Sequence, residues 1–257
     1  MKRHRLFVEN LVSVLGLAAL VGVWQLIAMS GLASPAFLPK PAAAFQAVGR
    51  GIADGSLVAS LLATVWQLFE GWLLASVLGV SLGAVIGLSP RLRELFQPTL
   101  EFLRPLPAPA IVPLAIALLG LGPSMVLVVI VFGSVWPPML ATIQGLSLVE
   151  PRLNEVAQML KLSRAAFVWK IGLPSALPDV LTGMRVSVSI ALILAVLGEM
   201  LAGQPGLGQT ILLAARSFRA YDLFAGLIVL SCLGIAINSL LRLAEARLVG
   251  WSRPATH

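Results

Sequence analysis

Long apolar stretches separated by short polar segments make up most of the chain. The first of them, Leu11–Met29, matches a hydrocarbon core of about 30 Å at about 1.5 Å per residue, so we interpret it as a retained span rather than a cleaved signal. The pattern predicts an all-α polytopic membrane protein with six transmembrane helices. Their approximate bounds are 11–29, 63–88, 106–121, 123–143, 181–201 and 223–241.

The stretch 111–140 is ambiguous, because it fits either one long span or two spans joined at Gly120–Pro123. With two spans, fourteen of the eighteen Lys and Arg residues lie on the cytoplasmic side and both termini are cytoplasmic. With a single span only eight of them do. Positive residues concentrate on the cytoplasmic side of such proteins, so the two-span arrangement is favoured.

Composition excludes most other classes of protein. The chain is 58% apolar and 11% charged, with a mean hydropathy of +0.96, which fits neither a water-soluble domain nor a disordered chain. No hydrophilic stretch is long enough to bury a separate core, so residues 1–257 form one transmembrane domain. The positive excess flanks the spans, where orientation accounts for it, so we expect contact with lipid and none with nucleic acid.

Residue types limit the chemistry further. The only histidines are His4 and His257 and the only cysteine is Cys232, so we expect no disulfide, no metal site and no cofactor. A G-x-x-x-x-G-K-[ST] phosphate loop is absent from the sequence. We therefore expect no enzymatic activity here, and any ATP that drives the protein would bind to another chain.

Charged and aromatic residues inside the spans are the candidates for translocation or gating. Carboxylates in a membrane helix are costly, about 2.5–3.5 kcal/mol, which singles out Glu70 and Glu199. An interfacial position or a pairing with a neighbour is the alternative for Glu70. Trp136, beside two prolines that predict a kink, is either a pathway residue or a packing residue. Snorkelling to the interface accounts for Arg185.

Small residues recur every fourth position in the second span. This spacing places them on one helix face, where a neighbouring backbone can approach closely. We predict helix packing within the chain, with a subunit interface as the alternative. The residues are Ala75, Gly79, Gly83 and Gly87.

The loop 144–179 carries the most information. Apolar and basic residues alternate at helical spacing from Asn154 to Lys170, as in a helix that lies on a membrane surface or docks into a partner. We expect Pro174 and Pro178 to break that helix before the next span.

Within this loop, Glu155-Val156-Ala157 is followed after three residues by Lys161 and after nine more by Ile171-Gly172-Leu173-Pro174. The segment resembles the signature of ABC importer permeases that work with a substrate-binding protein, which reads E-A-A, three residues, G, nine residues, I-x-L-P. Val156 and Lys161 depart from that pattern. Resemblance to the nitrate, sulfonate and taurine branch extends over Phe102–Pro107, Gly198–Met200 and Gly206–Gly208.

The resemblance implies that the loop forms a coupling helix seated in a groove of a cytoplasmic ATPase subunit. Glu155, Ala157, Lys161, Ile171, Leu173 and Pro174 would then carry ATPase coupling. It also implies a permease homodimer, an extracytoplasmic binding protein, location in the bacterial inner membrane and a small polar or anionic solute. Lys161 replaces a glycine that suits positive φ, so either the turn avoids that conformation or the helix runs on.

Two rival functions have less support. A secondary transporter driven by an ion gradient would need repeated halves and ionisable groups near the middle of the membrane, and it would leave the signature loop unexplained. An intramembrane enzyme would need a catalytic constellation that the spans do not supply.

Overall fold

The computed structural model describes residues 2–31, 34, 36–103, 106–147 and 151–248. Two positions of the resemblance, Arg104 and Pro105, lie outside these residues. The described parts contain helices and turns with no strand, which confirms the predicted all-α class. The helices are α1 (Lys2–Met29), α2 (Pro41–Ala53), α3 (Ser56–Gly87), α4 (Pro90–Leu103), a 3₁₀ turn (Ala108–Ile111), α5 (Val112–Leu119), α6 (Pro123–Ser134), α7 (Trp136–Ser147), α8 (Pro151–Met159), α9 (Arg164–Phe167), a π-helical turn (Val168–Gly172), α10 (Leu173–Ala202), α11 (Leu207–Arg216) and α12 (Ala220–Leu248).

The core lies where α3, α6 and α10 meet. Met125, Val129 and Ile130 of α6 are fully buried there, against Leu68 of α3 and Leu194 of α10. Burial of a large aliphatic side chain contributes about 1.5–3 kcal/mol in water. In a membrane the close fit of these side chains contributes through packing instead.

Four helical segments among the described residues are long and apolar enough to cross a membrane: Ser56–Gly87, Pro123–Ser147, Val168–Ala202 and Ala220–Leu248. A fifth arises only if α4 and Ala108–Leu119 are taken as one bent pair, and the apolar part of α1 is shorter. The chain is therefore a multi-pass membrane protein, but the predicted count of six spans is not confirmed.

The predicted third span, 106–121, differs most from expectation. It forms a 3₁₀ turn and the eight-residue α5, about 12 Å of helix, which is too short to cross alone. Pro107 and Pro109 lack the N–H that a longer helix would need, and Gly120, at φ 72°, ends α5. The predicted fourth span is continuous to Ser147 apart from one interruption at Val135, beside the two prolines.

Contrary to expectation, Pro174 and Pro178 do not break the helix. Pro174 comes just after the π-helical turn, which adjusts the helix there, and Pro178 lies inside α10. The hydroxyl of Thr182 donates to the Pro178 carbonyl at 2.9 Å. The chain is consequently helical without a break from Arg164 to Ala202.

The first two helices attach to the last one. The indole N–H of Trp24 donates to the Pro39 carbonyl at 2.9 Å, and its ring stacks on Phe224 of α12 with centroids 5.1 Å apart. Ala47 of α2 packs beside Ala225 of α12 in a small buried cluster. These contacts hold the end of α1 and helix α2 against the beginning of α12.

Candidate functional site

A cavity of about 680 Å³ lies between α7, α10 and the 3₁₀ turn. Most of its lining is apolar. The polar groups along it are the Trp136 indole, the Gln144 amide, the Asp179 carboxylate and the Thr182 hydroxyl. The Trp136 N–H is buried and has no hydrogen-bond partner among the described residues.

The three candidate translocation residues lie apart. Trp136 lines the large cavity. Glu70 is exposed and borders a separate hollow of about 160 Å³ between α3 and α6. Glu199 is fully buried near the end of α10. No common site joins these three residues.

Glu199 is tied to the loop that follows its own helix. Its Oε2 accepts a hydrogen bond of 2.7 Å from the backbone N–H of Gly208, in the first turn of α11. A carboxylate at a helix N-terminus is favoured by the unpaired N–H groups there. A Cβ at Gly208 would lie 2.4 Å from the Val196 carbonyl oxygen, so this approach requires glycine.

Thr64 of α3 holds the neighbouring residue of the same loop. Its hydroxyl accepts a hydrogen bond of 2.8 Å from the N–H of Leu207 and donates one of 3.2 Å to the Ser60 carbonyl. Thr64 and Leu207 are both fully buried. Sequence analysis missed Thr64, because a contact across 143 residues leaves no local pattern.

The four small residues of α3 are buried, and three of them face α7. A Cβ at Gly79 would lie 2.7 Å from the Val135 carbonyl oxygen, and one at Gly83 would lie 2.5 Å from that of Met139. At Gly87 the nearest atom would be the Ile143 Cα at 3.1 Å. The face that begins at Ala75 therefore lies against a helix of the same chain.

The coupling segment, which we define as residues 151–173, consists of α8, a turn, α9 and the π-helical turn. Its expected helix begins at Pro151 rather than at Asn154. Glu155 is exposed and Ala157 is buried. Ile171 and Leu173 are half-buried, and Pro174, just beyond the segment, is exposed.

Lys161 adopts the left-handed conformation, with φ 48°. The N–H of Leu162 donates to the Ala157 carbonyl at 3.0 Å, which is the bond that closes a Schellman motif at the end of α8. Neither alternative considered for Lys161 is right, because the turn has the glycine geometry with a lysine in it. That conformation costs a residue with a Cβ about 1–2 kcal/mol.

Several apolar side chains of the coupling segment are uncovered. Met159 is 83% exposed and Leu160 is 65% exposed, beside the half-exposed Val156. Trp169, in the π-helical turn, is 73% exposed. Glu155 and Lys161 are exposed in the same segment, and exposed apolar side chains with charged neighbours are typical of a protein-binding surface.

Spacing in the sequence located residues 151–173, whose role in coupling stays a prediction, but sequence analysis missed most of the cavity. Gln144, Asp179 and Thr182 stand in ordinary helical surroundings, and only the packing of α7 against α10 brings them to one wall. The sequence held one weak signal for this cavity: Asp179 and Thr182 lie three positions apart, on one helix face, just before the apolar run of α10.

This combination of an all-α membrane fold, a helix-lined cavity and an exposed amphipathic segment is that of a transporter permease subunit. The model of the family "Binding-protein-dependent transport system inner membrane component" matches residues 75–250. The chain belongs to this family and is the permease component of an ABC importer.

Two relatives are about equally similar to this chain. A putative aliphatic sulfonates transport permease protein, SsuC of Bacillus subtilis (strain 168), is 31% identical over 91% of this chain and 85% of its own length. The taurine transport system permease protein TauC of Escherichia coli (strain K12) is 30% identical over 91% of this chain and 87% of its own length. The expected branch of the family is thereby confirmed.

A solved structure of the MetNI methionine ABC transporter in inward-facing conformations has a similar fold. Its TM-score is 0.66 at 18% identity, over 75% of this chain and 96% of that one. It supports the fold assignment alone.

Proposed function

We propose that two copies of this chain form the pathway of an importer for a small polar or anionic solute of the sulfonate, taurine or nitrate type. ATP hydrolysis on separate cytoplasmic subunits drives it, and an extracytoplasmic binding protein delivers the solute. The named substrates of the SsuC and TauC relatives support this class of solute.

One observation carries the proposal. The segment Val168–Ala202 is a single continuous helix. Its first residues belong to the coupling segment, and residues further along it line the cavity. Thr182, Gly183 and Val186 of this helix lie on the cavity wall. A displacement of the coupling segment would therefore move the cavity wall, since a rigid helix transmits such a shift along its length.

The exposed side chains of the coupling segment suit a groove on an ATPase subunit. Met159, Leu160 and Trp169 supply apolar contact area, while exposed Glu155 and Lys161 can pair with opposite charges of the partner. Ala157 is buried and therefore contributes no exposed side chain to this contact. The cavity lining includes the exposed Gln144 amide, whose N–H groups can donate toward the oxygen atoms of a sulfonate or nitrate.

Charge reversal at Glu155 tests coupling. In proteoliposomes with the ATPase and the binding protein, we expect Glu155→Lys to lower uptake of labelled taurine or an alkanesulfonate about tenfold or more, because a paired interfacial charge is lost. ATP hydrolysis should persist. Glu101→Lys is the matched control, since Glu101 is equally exposed but lies on α4. Normal uptake by Glu155→Lys would sink the coupling assignment.

Co-purification tests the class of transporter. The chain should retain an ATPase subunit in mild detergent. Failure to do so under conditions that preserve the fold would favour an ion-gradient-driven transporter instead.

A further inference from the structure

The two halves of α12 are held differently. Its fully buried residues, Ala220, Ala225 and Gly226, all lie in the first two turns, where α12 packs on α2 and α11. From Ser231 onward no described residue of α12 is fully buried. The second half touches α10 through apolar contacts, such as Gly234 beside Leu192.

One ion pair joins this second half of α12 to α10. The Arg185 guanidinium contacts the Glu245 carboxylate, and the two side chains are 30% and 27% exposed. Arg185 directly precedes the apolar run of α10, so it has a partner within the chain and snorkelling is not its main explanation. A second ion pair, between Arg219 and Asp222, spans 3.5 Å and joins near neighbours that are more exposed.

We propose that Arg185 and Glu245 are positioning residues that make the second half of α12 move together with α10. A half-buried charge deprived of its partner is costly, so separation of the two helices at this level is opposed. Because the helix is continuous from Val168 to Ala202, a shift at the coupling segment reaches Arg185 and, through Glu245, α12. That an ATPase displaces the coupling segment rests on the proposed function, whereas the pairing of Arg185 with Glu245 does not.

Disulfide cross-linking tests the proposal in membranes that contain the whole complex. Cysteines replace Leu192 and Gly234 in a Cys232→Ser background, and the oxidant-driven rate of disulfide formation is measured without nucleotide and with ATP plus vanadate. With the pair intact we expect the same fast rate in both conditions. Arg185→Glu or Glu245→Arg should slow it about threefold or more without nucleotide, because contacting charges couple on that scale. ATP plus vanadate should slow it further.

The double variant with Arg185→Glu and Glu245→Arg should restore the fast rate in both conditions. Reversal of the Arg219–Asp222 pair is the control and should leave the rate unchanged. Unaltered rates in the single variants would overturn the proposal, as would slow rates that the double variant does not restore. If the single variants do not accumulate, the double variant must still accumulate and cross-link like the starting protein.

The two steps of the argument fail separately. Slow single variants that do not respond to ATP plus vanadate would overturn the transfer of motion and leave the pairing in place. Failure of the starting protein to bind an ATPase would count against the proposed function, while the nucleotide-free rates would still test the pair.

Discussion

The two ends of α10 are built in opposite ways. At the end near Ala202, the following loop is fixed by buried hydrogen bonds that the N–H groups of Leu207 and Gly208 donate to Thr64 and Glu199. At the other end, the coupling segment exposes Met159 and holds Lys161 in a left-handed turn. The first end is tied to its own chain by these two hydrogen bonds, whereas the second carries exposed apolar side chains and a left-handed lysine. We expect the second end to be the one that a partner covers, as the proposed function requires.

Gly208→Ala should have the largest effect on stability. The added Cβ would meet the Val196 carbonyl oxygen at 2.4 Å and the Glu199 carboxylate at 2.9 Å, so we expect a loss of about 3 kcal/mol. Equilibrium unfolding of the purified chain in mixed micelles measures it. Gly49→Ala is the control, since nothing lies within 4 Å of a Cβ there. Equal effects of the two changes would show that the loop is not tightly fixed.

Thr64→Val should have an intermediate effect. It keeps the shape of the side chain but removes the acceptor for the buried Leu207 N–H, which costs about 1–2 kcal/mol. The same unfolding measurement applies. Thr182→Val is the matched control, because that exposed hydroxyl bonds only within its own helix. A negligible change for Thr64→Val would mean that this bond does not hold the loop.

Lys161→Gly should have the smallest effect, and in the opposite direction. Relief of the left-handed strain, less the entropy that glycine adds to the unfolded chain, should stabilise the protein by about 0.5–1 kcal/mol. We also expect the Lys161→Gly variant to take up solute at the normal rate.

Phe218, at φ 55°, is the matched control position, because it is also a non-glycine residue in the left-handed region. Its ring packs edge-on against Phe37, with the ring centroids 6.1 Å apart, so glycine would lose this contact while it relieves the strain. We therefore expect Phe218→Gly to change the free energy of unfolding by less than about 0.5 kcal/mol. If Lys161→Gly lowered the free energy of unfolding, the claim that the left-handed conformation strains Lys161 would be wrong.

The sequence predicted the features that depend on local pattern. Apolar length and composition gave the membrane class, and the spacing from Glu155 to Pro174 gave the family, whereas the coupling role of that segment stays a prediction. The prolines at 174 and 178 were misinterpreted, because Pro174 follows a π-helical turn and a membrane helix packed on its neighbours can contain a proline such as Pro178. Contacts such as Thr64 with Leu207, or Arg185 with Glu245, join distant residues and leave no trace in one sequence.

Amide hydrogen exchange compares the two ends of α10 in one measurement. The purified chain is followed in detergent, alone and with its ATPase subunit. If the coupling segment is the docking surface, residues 153–173 should gain protection when the ATPase binds, while residues 203–208 should exchange as before. Unchanged exchange at residues 153–173 in a complex that has formed, or equal protection at both ends, would contradict the account.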